Sequence, residues 1–190
     1  SKILRLFYEN KKAGFHLREI ARKTMLYANS AARFLNQLEK EGLLTPQREG
    51  NLKRYKIKKS EKLNNIFASF DIERLNKLPL ERKRAINYFL DKLQEKPVIV
   101  LLFGSTAKET FRKDSDIDLI LIVNKKINID KAKDYVDAQI GVKINCFQII
   151  YDKFLKEIKL KEDKVIQSAL NTGYPIFNQM LFYEVYLNGD

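Results

Sequence analysis

The chain has 190 residues, 45% of them hydrophobic and 32% charged, which suits one medium domain or two small ones and excludes a disordered chain. No apolar run approaches the ~20 residues needed to cross a bilayer, and the opening SKILRLFYENKK reaches charge too early for a signal peptide. A single cysteine, Cys146, excludes an internal disulfide, so a cytoplasmic protein without a membrane partner is expected.

The net charge of +12 is unevenly placed. Residues 1–60 hold fifteen Lys/Arg against five Asp/Glu, a net of +10, whereas residues 61–190 hold twenty-one against nineteen, a net of +2. A solvated lysine-rich surface would spread the excess evenly. Its concentration points instead to a polyanion-binding segment joined to a near-neutral domain.

In chain order, Lys2–Glu9 has apolar residues at Ile3, Leu4, Leu6 and Phe7 and is expected to be a short helix. A second helix is expected over His16–Lys23, with Leu17, Ile20 and Ala21 facing inward. A third runs over Ala28–Glu41, where Ala31, Leu35 and Leu38 share one face and Gly42 supplies the stop. The opposite face carries Asn29, Ser30, Arg33, Asn36 and Gln37, side chains that suit base edges and phosphates. Leu43–Ile57 then reads as two strands around the turn Glu49-Gly50-Asn51, decorated by Arg48, Lys53, Arg54 and Lys56.

Three helices followed by a basic hairpin resemble the winged helix-turn-helix domain of prokaryotic regulators. The resemblance covers residues 2–58 and implies double-stranded DNA as a partner. It would place the third helix in the major groove and the Arg48–Arg54 wing against the backbone or minor groove. A homodimer is implied too, because such domains read paired half-sites. Basic winged helices also bind protein or only dimerise, so those readings stay open. Met25 stands where many such motifs carry a turn glycine, so a longer or looser turn is expected there.

Leu63, Ile66, Phe67 and Phe70 predict a connecting helix, and Pro79 opens another over Leu80–Lys96 with Ile86, Phe89, Leu90 and Leu93 on one face. Both stripes suit core or dimer packing. Beyond Pro97 the texture changes. Val98–Phe103, Asp118–Val123 and Val142–Tyr151 read as buried strands, with a helix over Asp130–Ala138. Helices are expected at Phe154–Leu160, Lys164–Leu170 and Met180–Tyr186, with a turn at Gly173-Tyr174-Pro175. The expected class is α+β: a DNA-binding domain over 1–60, connecting helices over 61–96, and a small mixed sheet with flanking helices over 97–190.

The chemistry concentrates in LLFGSTAKETFRKDSDIDLILIV, Leu101–Val123. A glycine after a buried strand, Gly104, lets backbone approach a ligand, and Ser105 adds a hydroxyl where amide groups can hold phosphate. An ordinary strand-to-helix turn would use the same pair. Asp116 and Asp118, if extended, point the same way, and two adjacent carboxylates invite a hard cation such as Mg²⁺. A polar turn before the strand accounts for Asp116 but not for Asp118 among Ile117, Leu119 and Ile120.

FGS, eight residues and DSDIDL together resemble the nucleotidyltransferases of the DNA polymerase β superfamily, most of all their small prokaryotic branch. The resemblance implies that Gly104 and Ser105 bind the triphosphate of a nucleotide and that Asp116 and Asp118 are catalytic and hold Mg²⁺. The implied reaction passes a nucleoside monophosphate from an NTP, ATP foremost, to a hydroxyl of a small molecule or of a protein such as a toxin-like partner. Lys108 and Arg112 either neutralise phosphate charge or are solvated residues.

The family's third carboxylate has no counterpart here. No acidic residue occurs between Asp137 and Asp152, and Asn145 falls at the corresponding place. An amide cannot accept a proton as a base. The alternative function is therefore a DNA-binding transcription regulator whose nucleotidyltransferase domain binds nucleotide or only dimerises. RNA binding by the basic segment ranks third. His16 and Cys146 cannot build a zinc site, and Gly104-Ser105 lacks the Lys-Ser/Thr ending of a Walker loop.

Overall fold

The structure is a computed structural model that describes residues 1–189. It divides into two compact units, Ser1–Phe70 and Asp71–Asp190.

The first unit contains α1 (Lys2–Glu9), β1 (Phe15–His16), α2 (Leu17–Thr24), α3 (Ala28–Lys40), β2 (Leu44–Glu49), β3 (Leu52–Ile57) and the first part of α4 (Glu61–Lys77). Ile3, Phe7, Ile20, Ala31, Leu35, Leu43 and Leu44 are buried in its core, as their helical and strand spacing predicts. Phe67 and Phe70 of α4 meet Tyr8 of α1 edge-to-face at 5.5 and 5.3 Å. The antiparallel hairpin β2–β3 turns through Gly50-Asn51, where Gly50 has φ +59°. Three helices followed by this hairpin form a winged helix-turn-helix arrangement, with β2–β3 as the wing.

Two details differ from expectation. The two residues of β1 add a third strand, in the order β1-β3-β2, too short to leave a sequence pattern. The turn between α2 and α3 is also tight. Met25 itself adopts the left-handed conformation (φ 54°, ψ 39°) that a glycine would take, and its N–H reaches the carbonyls of Ala21 and Arg22. Its side chain is 87% exposed, so no packing conflict opposes that backbone.

The second unit holds the end of α4, then α5 (Leu80–Lys92), β4 (Ile99–Phe103), α6 (Gly104–Ala107), β5 (Ile117–Val123), α7 (Asp130–Ile140), β6 (Ile144–Ile150), α8 (Tyr151–Leu160), α9 (Lys164–Thr172), β7 (Tyr174–Phe177) and α10 (Gln179–Asn188). The sheet order is β6-β5-β4-β7; β4 runs antiparallel to β5 and β7, and β5 and β6 are parallel across the α7 connection. One face of the sheet, through Val100, Leu102, Leu119, Leu121 and Ile144, packs on Ala85, Ile86 and Phe89 of α5 and Val136 of α7.

Three expectations are corrected here. Helix α5 ends at Lys92, not Lys96: Leu93 is already extended, Pro97 disfavours helix in the residue before it, and the Lys96 ammonium donates to the carbonyl of Leu90. Tyr174-Pro175 is not a turn but the start of β7, an edge strand, where a proline costs the sheet no ladder bond. Asp116 lies one residue before β5 rather than inside it.

Among the described residues no helix is long and apolar enough to cross a membrane.

Candidate nucleotide site and DNA-facing surface

Strand pairing builds the site. Phe103 at the end of β4 is the antiparallel partner of Asp118, and Asp118 is the parallel partner of Asn145. The alternation that buries Leu102, Leu119 and Ile144 on one face puts Phe103, Asp118 and Asn145 in one row on the other. Asn145 is thus in register with the carboxylate. Its Nδ2 donates to Asp118 Oδ1 at 2.9 Å.

Gly104 comes next after Phe103 with φ +68°. A Cβ built there would collide with Asp118 Oδ2 and lie 2.9 Å from its Cγ. The missing side chain therefore makes the space that the carboxylate fills. One oxygen of Asp118 faces Gly104 and the other faces Asn145. Ser105 follows in the short α6, half-buried. Lys108 and Arg112 are exposed on the segment leading to Asp116, which is itself exposed. The structure so brings Gly104, Asp118 and Asn145 into contact and holds Asp116 two residues away.

The donor set suits Mg²⁺ bound together with a nucleotide. Asp116 and Asp118, two residues apart, offer the hard oxygen ligands that Mg²⁺ takes and shares with phosphate. Among the described residues no group of three or more His, Cys, Asp or Glu could hold a metal alone. Cys146 lies in β6, where burial pushes its thiol up to about 12.

One residue at the site escaped the sequence reading. Arg82, at 3% exposure, donates from Nη1 to Thr106 Oγ1 (2.8 Å) and from Nη2 to the carbonyls of Arg112 (3.0 Å) and Ser115 (2.8 Å). Burial lowers its pKa, and the charges of Glu81 and Asp116 oppose that shift. The available signal was its position in the apolar register of Ala85, Ile86 and Phe89, three, four and seven residues on.

Residues 84–180 match the family described as polymerase beta, nucleotidyltransferase, just over half of the chain. The chain belongs to this nucleotidyltransferase family. No curated protein matches it as a sequence relative. Among solved structures, a toxin–antitoxin complex with AMP-PNP is 16% identical, with 58% of this chain and 84% of that chain covered and a TM-score of 0.42. The homodimeric winged helix-turn-helix DNA-binding domain of a possible ArsR-family transcriptional regulator from Mycobacterium bovis is 23% identical, covering 42% and 72%, with a TM-score of 0.34. The archaeal chromatin protein TrmBL2 is 19% identical, covering 90% and 78%, with a TM-score of 0.25.

On the first unit, Asn29, Arg33, Asn36 and Gln37 stand exposed along α3 and Ser30 is half-buried. The Gln37 amide donates to Glu41 at 2.9 Å. Arg48 and Lys53 are exposed and directly opposed across the wing. Arg54 is occupied within the fold: Nη1 bonds Glu49 at 2.9 Å and Nε donates to the carbonyl of Gly14 at 3.1 Å. The first of these bonds is the largest cause of the lowered Glu49 pKa. His16 caps the same corner. Its Nδ1 donates to the Lys53 carbonyl at 3.0 Å and its Nε2 lies 3.3 Å from Glu49. Of the basic wing residues, Arg48 and Lys53 are thus the ones whose side chains face outward.

Proposed function

We propose that the second unit is a Mg²⁺-dependent nucleotidyltransferase, acting on ATP or another NTP and on a hydroxyl of a protein or small molecule, and that the first unit binds double-stranded DNA. The observation that carries the first half is the fit of Asp118 into the space left by Gly104, at the end of a buried strand and beside Ser105. Gly104 and Ser105 present backbone N–H groups and a hydroxyl to the phosphates, with Lys108 and Arg112 near enough in sequence to neutralise charge. Asp116 and Asp118 would hold the metal, which would supply Lewis-acid polarisation of the reacting phosphate. The acceptor oxygen bonds to the α-phosphorus, the bond to pyrophosphate breaks, and the hydroxyl proton passes to water, because the Asn145 amide cannot take it.

Asn145 favours a second reading. Its N–H occupies Asp118 Oδ1 and brings no charge to the place where the family carries a carboxylate. On this reading the protein is a DNA-binding regulator that senses nucleotide and does not turn it over. The steep charge asymmetry, net +10 in residues 1–60, supports DNA binding under either reading.

The deciding experiment incubates the full chain with α-labelled ATP, Mg²⁺ and candidate acceptors, beside Asp116→Ala and Asp118→Ala. Label transfer by the wild type that both variants lose establishes the transferase. Mg²⁺-dependent ATP binding with no label transferred establishes the sensor, and absence of both removes the nucleotide site altogether.

A further inference from the structure

Three of the site's four parts are placed by secondary structure. Gly104 follows β4 and opens α6, Asp118 lies in β5, and Asn145 is locked opposite it in β6. Asp116 is not, because it precedes the ladder, where the first bond is Ile117 N–H to the Lys143 carbonyl. Its placement depends on residues 108–115. That segment carries a strained point, since Glu109 is left-handed at φ +59°, a conformation a non-glycine residue adopts at a cost.

Arg82 grips this segment at both ends. One arm of its guanidinium holds Thr106, next to Ser105; the other holds the carbonyl of Ser115, next to Asp116, and that of Arg112. Its Cζ lies 4.1 Å from the centre of the Phe111 ring. Thr106 is fully buried, and Ser115 further fixes the bend by accepting the Arg112 N–H at 2.8 Å. Every one of these acceptors is neutral. A buried, permanently charged side chain bonded only to neutral acceptors is expensive, so the arrangement points to a use for the fork that a hydrophobic residue could not serve.

We propose that Arg82 is a positioning residue of the nucleotide site: it fixes Asp116 relative to the Gly104-Ser105 turn and so couples metal binding to phosphate binding. The inference rests on the reading of that site as a Mg²⁺–nucleotide site. Lysine would keep the charge but cannot bridge Thr106 and the two carbonyls as a planar fork does.

The test uses the full chain with Arg82→Lys and Thr106→Val, the second of which keeps the arginine and the side-chain shape should the first not fold. The first readout is amide hydrogen exchange. Arg82→Lys should speed exchange over residues 105–116 while β4 and β5 keep their protection. The second is ATP affinity with and without Mg²⁺. Both variants should lose roughly 10–100-fold of the affinity measured with Mg²⁺, in the range seen when a residue supporting metal ligands is removed, and little of the metal-free affinity. In the double variant the losses should fall short of additive, because both act through one bond. Unchanged exchange over 105–116, or an equal loss of affinity with and without metal, overturns the proposal. If the wild type binds no nucleotide under either condition, the site reading fails instead, and the exchange result alone still decides whether Arg82 holds the segment.

Discussion

The two units solve opposite problems with charge. In the winged helix, positive charge is repeated over an exposed surface, and no single side chain sets the geometry. In the nucleotidyltransferase unit, Asp118 is fixed by its strand and by the missing Cβ of Gly104, and the segment before Asp116 is held by a buried fork. A distributed surface should fail gradually and with salt. A constructed site should fail at once when one part is altered.

Glycine substitutions sharpen this contrast most. Gly104→Ala faces both a left-handed φ, which costs a residue with a side chain about 1–2 kcal/mol, and a collision with Asp118. It is expected to abolish Mg²⁺-dependent ATP binding as measured by calorimetry. Gly50→Ala meets the same kind of φ in the wing, with nothing within 4 Å. It should lower the melting temperature slightly and leave nucleotide binding untouched. Equal effects of the two would remove the special role given to the Gly104 cradle.

Asn145→Asp should come next. It replaces the hydrogen bond to Asp118 with a like charge in register, so the metal-free protein is expected to melt earlier. Mg²⁺ should then raise the melting temperature more than it does in the wild type, and label transfer from ATP should rise. A variant whose melting is indifferent to Mg²⁺ would show that the third position lies outside the metal's reach.

Smaller changes are expected on the exposed basic surface of α3 and the wing. Arg33→Ala and Lys53→Ala should each weaken duplex binding, either on every sequence or at one base position. Where the side chain neutralises a phosphate, its removal should reduce the salt slope by about 1. Arg54→Ala should instead loosen the wing, because Glu49 and Gly14 hold that side chain. The smallest effect concerns pH. Accepting from Arg54 holds the Glu49 carboxyl below its ordinary 4.5, so its contribution to the wing is complete above that value and disappears as pH falls through the lowered one. Wing amides followed by NMR from about pH 6 to about pH 3 should show this loss in the wild type and not in Glu49→Gln.

Much of this was legible in the residues alone. β4, and β5 beyond Asp118, are unbroken apolar runs whose residues are all buried, and α3 shows its inward face plainly. What sequence spacing could not supply was register. Asn145 could be placed on the correct strand, but only the parallel ladder sets it opposite Asp118. β7 stayed hidden because Tyr174-Pro175 carries a turn's composition, and only an edge position lets a proline serve as strand. Arg82 stayed hidden for the reverse reason. A charged residue on a helix reads as surface until the acceptors that receive it, 24 to 33 positions later, are known.

The bond between Asn145 and Asp118 also has a genetic side. Asparagine and aspartate have the same shape, and their codons differ at one base. Because the amide is already held at the partner position of the carboxylate, a single transition in the coding sequence would put an acid in register with Asp118. The lineage that carries this chain is therefore never more than one mutation away from trying the other chemistry.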